Sequence, residues 1–232
     1  MIDVRPFDTL GAADHGWLNA RHHFSFASYH DPRRMSWGAI RVWNDDEIAA
    51  KSGFPPHPHN DMEIITYVRE GAITHQDSLG NKGRTEAGDV QVMSAGTGVR
   101  HAEYNLEDRQ TTLFQIWVLT DKKGAEPSWG AKRFPKDDRA GSFVTLASGF
   151  EEDDDALRIN AAARVLGATL GTGEAAELPL DPDRHVYLVA VGGAIEVNGI
   201  RAEPRDGVAI TGEERVTIRA LDDAEIVLVD AR

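Results

Sequence analysis

Cysteine is absent from this chain of 232 residues. Disulfides, thiolate-held zinc and iron–sulfur clusters are thereby excluded, and any metal ion has to be held by imidazole and carboxylate. Long apolar runs are missing as well: nowhere do about 18 apolar residues follow one another, and the opening MIDVRPFDTLGAADHGW has no apolar core of signal-peptide length. The expectation is a soluble, cytoplasmic protein with no membrane partner, and the absence of cysteine fits a reducing compartment. Positive charge is scarce, with 25 Lys+Arg against 38 Asp+Glu and a net charge of −13. That balance argues against nucleic acid as a direct partner, because a phosphate backbone is met by basic clusters. Helix-period stretches are few; DDEIAAKSG (45–53) reads as one or two helical turns ending at Gly53.

What is present is the pattern of antiparallel β structure. Short runs rich in Val, Ile, Thr and aromatics recur from about residue 36, among them SWGAIRVW (36–43), EIITYV (63–68), DVQVMS (89–94), TTLFQIWVL (111–119), VYLVAV (186–191), VTIRAL (216–221) and EIVLVD (225–230). Turn signals separate them at Gly71, Gly83, Gly88, Gly192-Gly193, Asn198-Gly199 and Asp206-Gly207. Residues 121–141 are rich in charge, Gly and Pro and read as a connection, and the acidic run EEDDDALRI (151–159) reads as a solvated loop.

The chain also repeats itself. Glu70-Gly71-Ala72-Ile73 is echoed by Gly192-Gly193-Ala194-Ile195, and Gly88-Asp89-Val90 by Asp206-Gly207-Val208. Two copies of one small β-barrel explain both the length and the pattern.

Chemistry concentrates in the first copy, in GFPPHPHNDME (53–63) and AGDVQVMSAGTGVRHAEYN (87–105). Residues two apart on a strand share a face, so His57 pairs with His59 and His101 with Glu103. Folded together, the two pairs bring three imidazoles and a carboxylate to one point, a donor set suited to iron, nickel, copper, manganese or zinc. Aligning Gly71 with Gly193, and Gly96 with Gly212, sets Pro179 and Asp181 opposite His57 and His59, and Thr217 and Arg219 opposite His101 and Glu103. The second copy is therefore expected to lack the metal. The remaining candidates carry less. His22 and His23 face opposite ways and, with Phe24 and Phe26, are expected to pack the barrel wall. His75 either lines the cavity or is a hydrogen-bonded structural residue. Trp37, Trp43 and Trp117 are expected as core aromatics first. Gly96-Thr97-Gly98 has no following helix or lysine and reads as a turn.

The pairing of H-x-H-x3-E with G-D-x-Q-x-M-x-A-G-x-G-x-x-H-x-E, preceded by RHHFSFASYHDP (21–32), resembles the pirin family of the cupin superfamily, in its bacterial branch. The resemblance spans essentially the whole chain. It implies an all-β bicupin with a metal-binding N-terminal cupin at 1–130 and a C-terminal cupin at 131–232 without ligands. Its metal is held by His57, His59, His101 and Glu103, with Fe(II) expected first and Zn, Cu, Ni or Mn as alternatives. Glu63 is the competing carboxylate, since cupins in general take a Glu soon after H-x-H; here it is expected to orient an imidazole or to share catalytic proton transfer with Glu103. Ser94, where Pro is common in cupins, is expected to alter a turn only. The activity implied is that of quercetin 2,3-dioxygenase, a monomer taking a planar flavonol and dioxygen to a depside and carbon monoxide. The other activity the resemblance allows is a non-enzymatic metal- or redox-responsive regulator that binds a protein partner.

Overall fold

A computed structural model describes residues 1–232 and consists almost wholly of strands, with two single-turn 3-10 helices at Phe7–Thr9 and Lys136–Arg139. No helix is long and apolar enough to cross a membrane. Each half of the chain builds a seven-stranded and a four-stranded antiparallel sheet. In the first, the larger sheet runs in the order Ser128–Lys132, Val90–Ser94, Met62–Glu70, Thr111–Leu119, Ile40–Ile48, Leu18–His22, Gly11–Asp14, and the smaller is Ser52–His59, Val99–Asn105, Ala72–Asp77, Lys82–Glu86. In the second, the larger is Ile2–Arg5, Gly207–Thr211, His185–Gly192, Ala224–Ala231, Ala163–Leu170, Val144–Ser148, Leu157–Arg158, the last pairing being parallel; the smaller is Ala175–Pro179, Arg215–Ala220, Ile195–Val197, Ile200–Ala202. The repeat legible in the glycine turns is thus a repeat of sheet order, and both copies are cupin-type barrels.

Alternation along each strand decides what faces where. Along Met62–Glu70, Ile64, Thr66 and Val68 turn into the first barrel, while Ile65 and Tyr67 turn out and join a cluster of 23 buried residues. That cluster takes Trp43, Phe114 and Ile116 from the first large sheet and Val165, Tyr187, Val227 and Val229 from the second. The two large sheets therefore pack back to back, with Phe24 between them and Trp37 against the cluster edge, its Nε1–H donating to the Val186 carbonyl at 2.9 Å. Trp43 is a core aromatic, as expected.

Three sequence expectations are corrected here. The segment 45–53 is not helical: Asp45–Ile48 closes the Ile40–Ile48 strand between two neighbours, and Ser52 opens the next strand. Ladder pairing on both sides outweighs a weak local helical preference. The connection 121–141 contains the Ser128–Lys132 strand, which pairs with Val90–Ser94 of the first barrel, so a boundary at 130/131 cuts through a strand. Conversely, Ile2–Arg5 pairs with Gly207–Thr211 of the second barrel. Each barrel is edged by a strand from outside its own half.

The third correction concerns register. Glu103 pairs with His75, two residues after Ile73; two residues after Ile195 stands Val197, which pairs with Ile218. Ile218 therefore occupies the place of Glu103, and Val216 that of His101. His57 pairs with His101 as Leu178 pairs with Val216, so Leu178 and Leu180 stand for His57 and His59. Thr217 and Arg219 lie one residue out of register, because the turn from the glycine to the strand is one residue shorter in the second copy, and a one-residue slip exchanges the faces of a strand. Pro179 and Asp181 are displaced in the same way.

Candidate metal centre

His101 lies directly across from His57, and Val99 from His59, in the pairing of Val99–Asn105 with Ser52–His59. Opposed residues of antiparallel neighbours share a face. The three rings consequently converge: centroids are 4.5 Å apart for His57 and His101, 4.8 Å for His57 and His59, and 4.9 Å for His59 and His101. One ring nitrogen from each of the three lies within 4.8 Å of the others. The Nε2 atoms of His57 and His101 are 3.1 Å apart, close to the ~3.0 Å edge that two nitrogens ~2.1 Å from one ion at right angles would span. The donor set therefore fits a divalent first-row ion.

The far side of each ring is prepared for this. His57 donates Nδ1–H to the Pro55 carbonyl at 2.8 Å, which leaves Nε2 with its lone pair. On His101 the Nδ1 atom faces Nδ1 of His75 at 3.4 Å, and Nε2 of His75 faces Oδ2 of Asp77 at 3.1 Å. With His101 donating to His75 and His75 to Asp77, a two-step relay holds His101 in the tautomer whose Nε2 is free. Asp77 is itself pinned: its Oδ1 accepts from the backbone of Leu79 and Asn81. Burial alone would raise this carboxyl, but its hydrogen bonds to Asn81, His75 and Leu79 hold it below the usual range. Trp129, from the strand contributed by the connection, lies flat on His75 at 4.9 Å and 11°. Its ring covers Gly83, where a Cβ would collide with it.

Burial, and then the neighbouring imidazoles, push His59 down to about 4 and His101 down to about 2. Both are neutral at physiological pH and offer lone pairs rather than charge.

Glu103 sits one step deeper. The register of its strand shifts between His101 and Glu103, so that Glu103 faces Phe54 rather than Pro55, a bulge of the kind often found beside sites. Its carboxylate groups with His75 and His101. One oxygen accepts from Gln91 at 2.7 Å and Thr66 at 3.3 Å, the other from Gln115 at 2.7 Å. The second oxygen thus keeps a lone pair unused. Burial pushes Glu103 up to about 7, against the lowering effect of those three donors.

Glu63 does not join this set. It follows Met62 on a new strand, faces the side opposite Ile64, and accepts from the Ser94 hydroxyl in the seam between the barrels. Burial raises its carboxyl, partly offset by bonds from Ser94 and the Asn160 backbone. The parity shared with His59 is broken by the turn at Asp61, so Glu63 neither orients an imidazole nor reaches the site. Ser94 has found a use as its partner.

His22 and His23 do face opposite ways. His23 is buried in the seam, bonded to the Tyr187 hydroxyl at 2.9 Å, whereas His22 bonds Asn44 at 2.8 Å and lines a cavity inside the first barrel. Trp117 is more than a core aromatic: its ring meets His59 edge-on at 5.0 Å, with Phe26 against it at 5.4 Å. Sequence reasoning missed Asp77 and Trp129, and Gln91 and Gln115 as the groups that hold Glu103. The alternation Gln91, Met93 and Gln115, Trp117 on otherwise apolar strands was the available signal, since a buried Gln on an inward face needs a polar partner.

Two β-barrels in tandem, one of them holding a histidine cluster, define a bicupin. Residues 3–118 match the pirin family, and residues 145–231 match the quercetinase C-terminal cupin domain. A pirin-like protein of Caulobacter vibrioides is 68% identical over 231 residues, covering 100% of both chains. Quercetin 2,3-dioxygenase of Escherichia coli is 41% identical over 231 residues, covering 99% of this chain and 98% of its own. The crystal structure of bacterial pirin YhhW in complex with nickel(II), from Escherichia coli, superposes with a TM-score of 0.93 at 40% identity, covering 100% of this chain and 99% of that one. The chain belongs to the pirin family.

Proposed function

We propose that this protein is a metal-dependent dioxygenase that opens flavonols such as quercetin, releasing a depside and carbon monoxide. The observation that carries the reading is the convergence of three imidazoles, with a buried carboxylate grouped beside His101. Relatives named for quercetin dioxygenation and for nickel binding support it. His57, His59 and His101 would hold the ion, with the unused lone pair of Glu103 as the fourth donor. Fe(II) is the ion proposed for the cell. A divalent ion so held supplies Lewis acidity that favours the deprotonated form of a chelating hydroxyl.

The chain's own residues do the rest. The lone pair that Gln91, Gln115 and Thr66 leave free on Glu103, and whose direction they fix, is the acceptor open to the proton of that hydroxyl whenever it does not hold the ion. Trp117 and Phe26 form an apolar wall beside His59, which excludes water and strengthens the attraction between a cationic centre and an anionic ligand. Dioxygen and a planar aromatic substrate are the proposed partners.

The test is to load the purified protein with iron, measure its metal content, and follow the loss of quercetin's visible absorbance under oxygen for wild type and His101→Ala. Turnover that tracks metal content and disappears in His101→Ala is expected. A fully metallated wild type that leaves quercetin intact would overturn the reading.

A further inference from the structure

Asp46 is the least explained charged residue in the molecule. It is 2% exposed, and its Oδ1 has no hydrogen-bond partner. A buried polar atom left unpaired is costly, and here the fold does not demand it. Asp46 pairs with Leu113 as Ala168 pairs with Ile226 in the second barrel, where the corresponding position needs no carboxyl.

The side chain lines a cavity of about 310 Å³ inside the first barrel, together with His22, Phe26, Asn44, Phe54 and Gln115. Such a volume is at the lower end of those that enclose a small organic ligand. Two residues of its wall also touch the candidate metal centre. Gln115 binds Glu103 at 2.7 Å, and the Phe54 ring lies 6.4 Å from that of His57. Two aromatic residues and a few polar groups line it, which suits a flat ring that carries a polar substituent.

We infer that this cavity is the subsite for the hydroxylated end of a planar phenolic ligand and that Asp46 is the group that reads the hydroxyl. The inference rests on the function proposed above and adds a specificity residue to it. A phenol hydroxyl both donates and accepts, and it meets a carboxyl in either protonation state. The geometry divides the labour: chelating oxygens at the imidazoles, the distal ring between Phe26 and Phe54, its hydroxyl at Asp46. The orphaned oxygen is then a binding group waiting for its partner, and native stability is lower for it.

Binding to the full-length chain loaded with zinc, which has no redox chemistry, is measured by tryptophan fluorescence with two probes: quercetin, and 3-hydroxyflavone, which keeps the chelating oxygens and lacks the other hydroxyls. Wild type should bind quercetin roughly tenfold or more tightly than 3-hydroxyflavone. Asp46→Leu should bring the ratio near one by weakening quercetin alone, while the metal-free variant melts about 2–4 °C higher than wild type. Asp46→Asn, which keeps the shape, should lower the ratio about threefold, between wild type and Asp46→Leu. If both probes bind and the ratio is unchanged in both variants, the subsite is wrong and the function stands. A lower melting temperature in Asp46→Leu would make Asp46 a structural residue and overturn the inference. Failure of wild type to bind either probe would overturn the function and the subsite with it.

Discussion

The two barrels share one strand order and have opposite interiors. Where the first places Thr66, Gln91 and Gln115 around Glu103, the second places Leu188, Val208 and Leu228 around Ile218. Where the first has His57, His75 and His101, the second has Leu178, Val197 and Val216. Asn44 and Asp46 give way to Leu166 and Ala168. The second barrel closes on an apolar cluster of 17 buried residues, the first on two small clusters separated by the polar centre. A barrel of this kind is stable with an ordinary hydrophobic filling. The polar filling of the first copy is therefore not a requirement of the fold, and each of its groups needs a partner that the second copy dispenses with.

The contrast is most severely tested by carrying one polar group across. Ile218→Glu places a carboxylate in a dry cluster with no donor near it and should cost ~3–5 kcal/mol, read from urea unfolding. A cost below about 1 kcal/mol would mean that the second interior is not apolar in the sense argued. In the reverse direction, His101→Val gives the first barrel the residue of the second. Bound metal should fall from one equivalent towards none, and flavonol turnover by more than about 100-fold, since the loss of a ligand exceeds the loss of a group behind one.

A subtler exchange is His75→Val, which copies Val197. It leaves all proposed ligands in place but removes the relay from Asp77, and metal affinity in a chelator competition should weaken by roughly 10–100-fold. An unchanged affinity would reduce His75 to a packing residue under Trp129.

Acid should separate the interiors too. In the unfolded chain His59 and His101 titrate near 6.5, and in the folded, metal-free chain near 4 and near 2. Between those values the unfolded state binds more protons, so stability is full above pH 6.5 and is lost as pH falls through 4. Glu103 has the opposite sign: with a folded value near 7 against 4.5, its contribution is present below pH 4.5 and lost as pH rises through 7. The two oppose one another between 4.5 and 6.5, and only the histidine slope continues below. Melting temperature of the metal-free wild type should drop more steeply below pH 4.5 than that of His101→Val. The smallest effect is expected from Glu63→Gln, which should leave metal content unchanged and alter stability by no more than ~1 kcal/mol, because Glu63 lies in the seam with Ser94.

Much of this was legible in the letters, and the reason differs by region. His57, His59 and His101 could be set together because a strand's period of two needs no knowledge of the rest of the molecule. The duplication was readable because glycine turns recur in the same order. Glu63 was misplaced for want of one fact, the turn at Asp61 that starts a new strand and resets parity. The second-copy equivalents were misassigned by a single residue in a turn, and for a strand one residue is the difference between inside and outside. Asp45–Ile48 looked helical because its neighbours, which decide the matter, come from residues 18–22 and 111–119.

By itself, then, the sequence determined the β class, the doubling, and the imidazole character of any metal site, because these follow from local periodicity and from the absence of cysteine. Only the tertiary structure decided which carboxylate stands beside the histidines, that Asp77 and Trp129 sit behind them, that edge strands are exchanged between halves, and that Asp46 faces a cavity unpaired. Each of those depends on which strands lie side by side and in what register. That is a property of contacts across dozens of residues, which no short window of the chain contains.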